Sequence, residues 1–320
     1  MESPLSHFKF AQFQFVLSAE DCINLPVYKG STFRGGFGHA FKKIVCVNRE
    51  KICSTCLLKG KCVYSYVFET PPPPDTSKMR KYPFAPHPFT ITPPLEEKRD
   101  YQIGETLSFE LTLVGKSIDY LPYFIYTFDE LGRMGIGKGK GKYQLEEVRS
   151  RGDPKKEDTI YSSKDKILRN LYGTVKIQDL EPSDLSPSIL SLTFLTPTRL
   201  KFDVRLSPTL EFHILFRNLL RRISLLSYFH CGEELNLDFK GLIESSKNIT
   251  VEKENLSWFD WERYSNRQET KMKMGGFMGS ITFEGDLEEF LPFVQLGEYV
   301  HVGKGTSFGL GKYQIKEGGS

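Results

Sequence analysis

A chain of 320 residues, 39% hydrophobic and 26% charged, is long enough for two domains with real cores and ordinary for a soluble globular protein. The net charge is only +3, so any polyanionic partner has to meet local basic patches. No apolar run reaches membrane-spanning length, and the start MESPLSHFKF has neither a basic stretch nor an apolar signal core, so a cytoplasmic protein without membrane contact is expected. The opening HFKFAQFQFVL alternates Phe8, Phe10, Phe13, Phe15 and Leu17 with polar residues, apart from a slip at Ala11, and predicts a strand with one buried face. Ser31 or Thr32 is the expected cap of a helix through FRGGFGHAFKKIVC, with Phe33, Phe37, Phe41, Ile44 and Val45 on one stripe. Gly35, Gly36 and Gly38 each weaken that helix by roughly 1 kcal/mol relative to alanine. Such glycines imply close packing on a sheet or close approach of a ligand backbone.

Residues 71–94 hold half of the chain's 18 prolines and predict an extended segment draped on a surface. A strand over 106–115 and a short helix near 120–131 follow, then a glycine-rich loop and a polar turn at 150–159. The same order returns with a strand over 188–202 and a long helix opened by Ser207-Pro208 and ended by Gly232. Strands near 272–284, a helix near 286–296, and a second glycine-rich loop and strand complete the chain. Each half reads β-α-β-β-α-β, so the expected fold class is α+β, two tandem ferredoxin-like domains spanning 1–185 and 186–320.

The two loops match at an offset of 170 residues. GRMGIGKGKGKYQLEEV and HVGKGTSFGLGKYQI share Gly135, Gly139, Gly141, Lys142, Tyr143 and Gln144 with Gly305, Gly309, Gly311, Lys312, Tyr313 and Gln314. Neither is a nucleotide P-loop or a dinucleotide fingerprint. Between Cys46 and Cys62 a small insertion carries Cys46, Cys53, Cys56 and Cys62 in the spacing C-x6-C-x2-C-x5-C. Four thiolates so close suit a closed structural zinc site, and an iron–sulfur cluster would use the same ligands.

GSTFRGGFGHAFKKIVC, the cysteine cluster ending in CVYSYVFETPPPP, PHPFTITPP, ERYSNRQ and GEYVHVGKGTSFGLGKY together resemble the RAMP superfamily of CRISPR-associated RNA-binding proteins. The closer likeness is to the endoribonucleases that process CRISPR precursor RNA. The resemblance implies a metal-independent cut within the repeat: a 2′-hydroxyl attacks the adjacent phosphate, leaving a 2′,3′-cyclic phosphate and a 5′-hydroxyl. It also implies that the guide RNA is retained, or that the chain joins CRISPR effector subunits. The alternative it allows is a RAMP subunit that binds RNA without cutting it.

In that family the catalytic histidine is often in or near the first helix, which singles out His39. Lys43 lies one turn on, and Tyr28 just before the helix is a candidate for orienting RNA or relaying a proton. His87 and His301 are the rivals for proton transfer, while His213 and His230 read as structural. Phosphate contacts are expected from Arg34 and Lys42, from Lys138 and Lys140 in the first loop, and from Arg217 and Arg221 on the second long helix. Further contacts are expected from Arg267 and Lys271 in an aromatic stretch, and from His301, Gly303, Lys304, Gly305, Thr306, Ser307, Gly309 and Gly311 in the terminal loop.

Overall fold

The computed structural model describes residues 4–48, 52–73, 75–76, 78–79, 82–153, 156–170, 172–176, 186–202, 205–206, 210–265 and 270–316. It divides into two compact units. The amino-terminal unit runs from Lys9 to Val175 and takes in Leu225–Glu233. The carboxy-terminal unit holds Lys176–Ser224 and Glu234 onward, together with the chain start up to Phe8. The sequence-based boundary near 185 falls outside the described residues.

In the amino-terminal unit β1 (Lys9–Ala19) is followed by α1 (Gly30–Val45), β2 (Phe89–Thr92), β3 (Thr106–Val114), α2 (Leu121–Met134), β4 (Tyr143–Asp153) and β5 (Lys156–Ser162). The sheet order is β2-β3-β1-β4-β5, and the short strand Val175–Lys176 also pairs with β1. The first four of these strands, all antiparallel, with helices after the first and third, form the ferredoxin-like arrangement. Alternation decides the register: Phe15 stands opposite Phe109 and Val148, and its ring stacks on Phe109 at 4.9 Å. Phe37 of α1 stacks on Phe124 at 4.8 Å and Phe128 at 5.3 Å, so an aromatic core joins both helices to the sheet.

In the carboxy-terminal unit β6 (Ile189–Thr198), α3 (Phe212–Leu226), β7 (Thr250–Phe259), β8 (Gly276–Glu284), α4 (Leu291–Val300) and β9 (Tyr313–Lys316) repeat the plan. The sheet order is β7-β8-β6-β9, the same permutation of strands. Phe216 packs edge-on against Phe290 at 4.7 Å, and Phe194 against Phe277 at 5.0 Å.

Several elements differ in extent from the sequence reading. The first helix begins at Gly30 with Lys29 at its N-cap and no side-chain cap, so Ser31 and Thr32 are first-turn residues. Lys29 is buried and its ammonium donates to the Glu96 carbonyl at 2.5 Å, which anchors the helix entry in place of a cap. α4 starts at Leu291 rather than near 286, because Pro292 takes the first turn, where its missing N–H costs nothing. Ser207-Pro208 lies outside the described residues; α3 itself runs into a π-helical turn, Ser227–Cys231, that ends at the left-handed Gly232, as the sequence indicated.

Candidate functional site

α1 has two unlike faces. Phe33, Phe37, Ala40 and Phe41 are buried, with Gly38 between them. A Cβ at Gly38 would overlap the Phe68 ring, and one at Gly36 would press on the Leu131 side chain. Gly35, His39 and Lys43, at successive i, i+4 positions, are exposed on the opposite face. No acidic residue occurs in the 16 residues of the helix. Its last turn carries Lys42 and Lys43, favourably placed at the negative end of the helix dipole. Lys42 is half-buried, with its ammonium 5.4 Å from the Tyr64 ring centroid, so Lys43 is the freer cation beside His39.

Tyr28 is half-buried. It precedes the helix, and burial pushes its phenol well above the usual range, so it is a protonated hydroxyl at neutral pH. Arg34 turns to the flank: its guanidinium lies 3.9 Å over the Phe68 ring and 3.4 Å from His87 Nε2. His87 Nδ1 is 2.6 Å from the Thr70 hydroxyl, and its ring stacks on Phe68 and Phe89. Both ring nitrogens are thus engaged in fastening the proline-rich segment, which argues against His87 as proton carrier. His230 is likewise a pin, buried, with Nδ1 3.1 Å from Tyr66 Oη and Nε2 2.8 Å from the Pro86 carbonyl.

The two glycine-rich loops are braced alike. The buried Tyr143 donates to the Phe128 carbonyl of α2 at 2.8 Å, and the buried Tyr313 to the Val294 carbonyl of α4 at 2.5 Å. Gly132 and Gly297 leave the space that each tyrosine fills. In the first loop Lys138, Lys140 and Lys142 are exposed. In the terminal loop Thr306, Ser307, Gly309 and Gly311 are buried, which corrects the expectation that they face a ligand. Gly303, Gly305, Gly309 and Gly311 all have left-handed backbone, and a Cβ at Gly311 would strike the Val302 carbonyl. These glycines serve the chain's own turns.

His301 is also corrected. It ends α4 with φ of 61°, is 1% exposed, and holds Nδ1 3.3 Å from the Leu310 carbonyl. Burial, then Lys312 and Arg222, keep its imidazole well below its ordinary value, so it is neutral and enclosed rather than phosphate-facing. Arg222 is buried too, its Nε donating to the Val300 carbonyl at 2.7 Å as a cap of α4. Burial pulls its guanidinium down to about 9.

Lys304 at the loop tip is exposed. Burial of its neighbourhood, then Lys201 and Arg199, pull its ammonium down to about 8. Its backbone N–H donates to the Arg199 carbonyl at 3.0 Å. Arg199 and Lys201 thus complete a basic trio that the sequence reading missed, because they lie about a hundred residues from the loop they support. Arg217 and Arg221 are exposed on α3. Arg267 lies outside the described residues and the Lys271 side chain is not described; Trp258, half-exposed in the same region, donates to Asp260 at 2.8 Å.

Cys46, Cys53, Cys56 and Cys62 are free and half-buried. Among the described residues no three of His, Cys, Asp and Glu stand where they could hold a metal ion together. The closed tetrahedral set expected from the spacing is therefore not assembled. Successive tight turns bond Cys56 N–H to Cys53 O, Lys59 to Cys56 and Lys61 to Leu58, and the Cys46 thiol turns to the Asn48 carbonyl. Burial raises the Cys53 thiol, Lys42 opposes the shift, and Glu69, Cys46 and Cys62 add to it. No helix among the described residues is long and apolar enough to cross a membrane.

The tandem ferredoxin-like fold is similar to that of solved Cas6 proteins. Thermus thermophilus Cas6 superposes with a TM-score of 0.54 at 17% identity, covering 97% of this chain and 99% of that one. A Cas6 product complex gives 0.59 at 18% identity, covering 96% and 99%. An uncharacterized protein of Archaeoglobus fulgidus is 26% identical over 307 residues, 92% of this chain and 93% of that protein. Residues 8–172 match the AF_1859_N family model, described as an N-terminal domain, and residues 192–313 match the CRISPR-associated endoribonuclease Cas6 model. The chain belongs to the AF_1859_N family, and its carboxy-terminal half carries a stretch that matches the CRISPR-associated endoribonuclease Cas6 model.

Proposed function

We propose that this protein cuts CRISPR precursor RNA within its repeats by metal-independent transesterification, with His39 and Lys43 at the cut. The observation that carries the reading is the exposed, acid-free face of α1, where His39 stands one turn from Lys43 on a rigid aromatic core. In the step, the 2′-oxygen bonds to the adjacent phosphorus as the bond to the 5′-oxygen breaks. One proton leaves the 2′-hydroxyl and one reaches the departing 5′-oxygen. An imidazole, able to take up or give a proton near neutrality, suits either transfer. An ammonium beside it offsets the charge that builds on the phosphorane. A Cas6 protein solved as a histidine-to-alanine variant, with a TM-score of 0.51 at 18% identity over 97% of this chain and all of that one, lends a parallel. Lys138 and Lys140, the trio of Arg199, Lys201 and Lys304, and Arg217 with Arg221 supply phosphate contacts.

The experiment is incubation of repeat RNA with the protein in EDTA, followed by analysis of the ends. A single cut leaving a 2′,3′-cyclic phosphate and a 5′-hydroxyl is expected. Tight binding without cutting would replace the enzyme with a guide-RNA-binding subunit. A cut that EDTA abolishes would overturn the metal-independent route.

A further inference from the structure

The three glycines inside α1, Gly35, Gly36 and Gly38, are not equivalent. Gly36 and Gly38 face Leu131 and Phe68, and their missing side chains are filled by those neighbours. Gly35 is different: a Cβ there would meet nothing within 4 Å. The position is exposed and its backbone is helical, so neither packing nor a left-handed turn asks for glycine. Glycine in a helix interior is nonetheless among the least favourable choices, and alanine would fit at once. Gly35 also stands one turn before His39 on the face that carries Lys43. A bare Cα at that point leaves a shallow gap in the helix surface, bordered by a histidine and a lysine and free of acids on its own helix.

We infer that Gly35 is the approach position for the ribose–phosphate backbone of the RNA next to the scissile bond. The gap lets the strand lie against α1 closely enough for His39 to reach the 2′-hydroxyl or the leaving oxygen. This inference rests on the cleavage reading above, and it assigns to Gly35 a positioning role through its lack of a side chain. Of Gly35, Gly36 and Gly38, it accounts for the one that the protein's own packing leaves unexplained.

The test uses Gly35→Ala, Gly35→Gln and His39→Ala in the full chain, with a repeat RNA that the wild type cleaves and the same RNA carrying 2′-deoxyribose at the cut nucleotide. Melting is measured beside binding and single-turnover cleavage. Both Gly35 variants are expected to melt at or above the wild-type temperature, since the added atoms enter open space and a helix former replaces glycine. Gly35→Gln is expected to bind the deoxy RNA roughly tenfold more weakly and cleave about 30-fold more slowly, with Gly35→Ala intermediate, because an added side chain displaces the strand from reacting distance. Binding and cleavage within twofold of wild type in both variants would overturn the inference, as would a fall in melting temperature, which would reveal a packing role. If His39→Ala cleaves normally while Gly35→Gln is slow, the approach position stands and the assignment of His39 falls. The reverse pattern removes Gly35 and keeps His39. A wild type that neither binds nor cuts repeat RNA overturns both readings together.

Discussion

The first helices of the two units occupy equivalent places in the same fold and carry different side chains. α1 carries four glycines, Gly30, Gly35, Gly36 and Gly38, and turns His39 and Lys43 outward. α3 carries none within Phe212–Leu226, and its histidine, His213, is half-buried with Nδ1 3.4 Å from Glu211. Where α1 is open, α3 presents Arg217 and Arg221 and sends Arg222 inward to cap α4. The first helix of one copy thus exposes an imidazole and a lysine on a face thinned by glycine, and that of the other exposes two arginines.

The sharpest way to break this comparison is to treat the two histidines alike. His39→Ala should slow single-turnover cleavage roughly 100-fold, about 2.7 kcal/mol of barrier, while His213→Ala stays within about twofold. Equal effects would erase the asymmetry. Next in size is Gly38→Ala, whose new methyl group meets the Phe68 ring and should cost about 1–3 kcal/mol of stability in a denaturant titration. No loss there would mean that the Phe68 contact yields freely. Replacing Arg217 and Arg221 together should weaken RNA binding about tenfold and reduce the slope of log affinity against log salt by about two, with the rate of the bound complex unchanged. An unchanged slope would remove the arginines from the RNA path. The smallest effect concerns His301. Burial depresses its pKa, so the unfolded chain takes up the proton first; the stability it contributes is full above about 6.5, the free imidazole value, and is lost as pH falls below it. His301→Asn should flatten the stability profile on that acid side, and an unaltered slope would show that other groups govern it.

Much of the fold was legible in the residues. Alternation in the opening strand, the helical stripes and the matched loops gave two β-α-β-β-α-β halves, because these patterns are set by burial on one face. Gly132 with Tyr143 and Gly297 with Tyr313 show why the loops match: the shared residues brace each loop against the second helix of its unit. The same glycines misled the reading of the terminal loop, since a left-handed turn and a ligand cradle call for the same residue. His301 misled for a related reason. Its neighbours Val300 and Val302 are both buried, and its enclosure depends on Arg222 and Lys312, distant in the chain. Arg199 and Lys201 escaped notice because only the fold brings them to Lys304. The cysteine spacing suggested a metal site; among the described residues no three metal-ligating side chains stand together, and the segment between Cys46 and Cys53 lies partly outside them. Gly35 was noticed as costly, but only the contacts of its neighbours show that it alone lacks an internal reason.

Imidazole rescue tests the central assignment most directly. His39→Ala protein is saturated with repeat RNA in EDTA, and cleavage is followed as free imidazole is added. The account predicts a slow variant whose rate climbs with imidazole and whose product keeps the 2′,3′-cyclic phosphate, since a diffusible base or acid replaces the missing one. Wild-type speed without imidazole, or a slow rate that imidazole leaves untouched while the RNA remains bound, would contradict it.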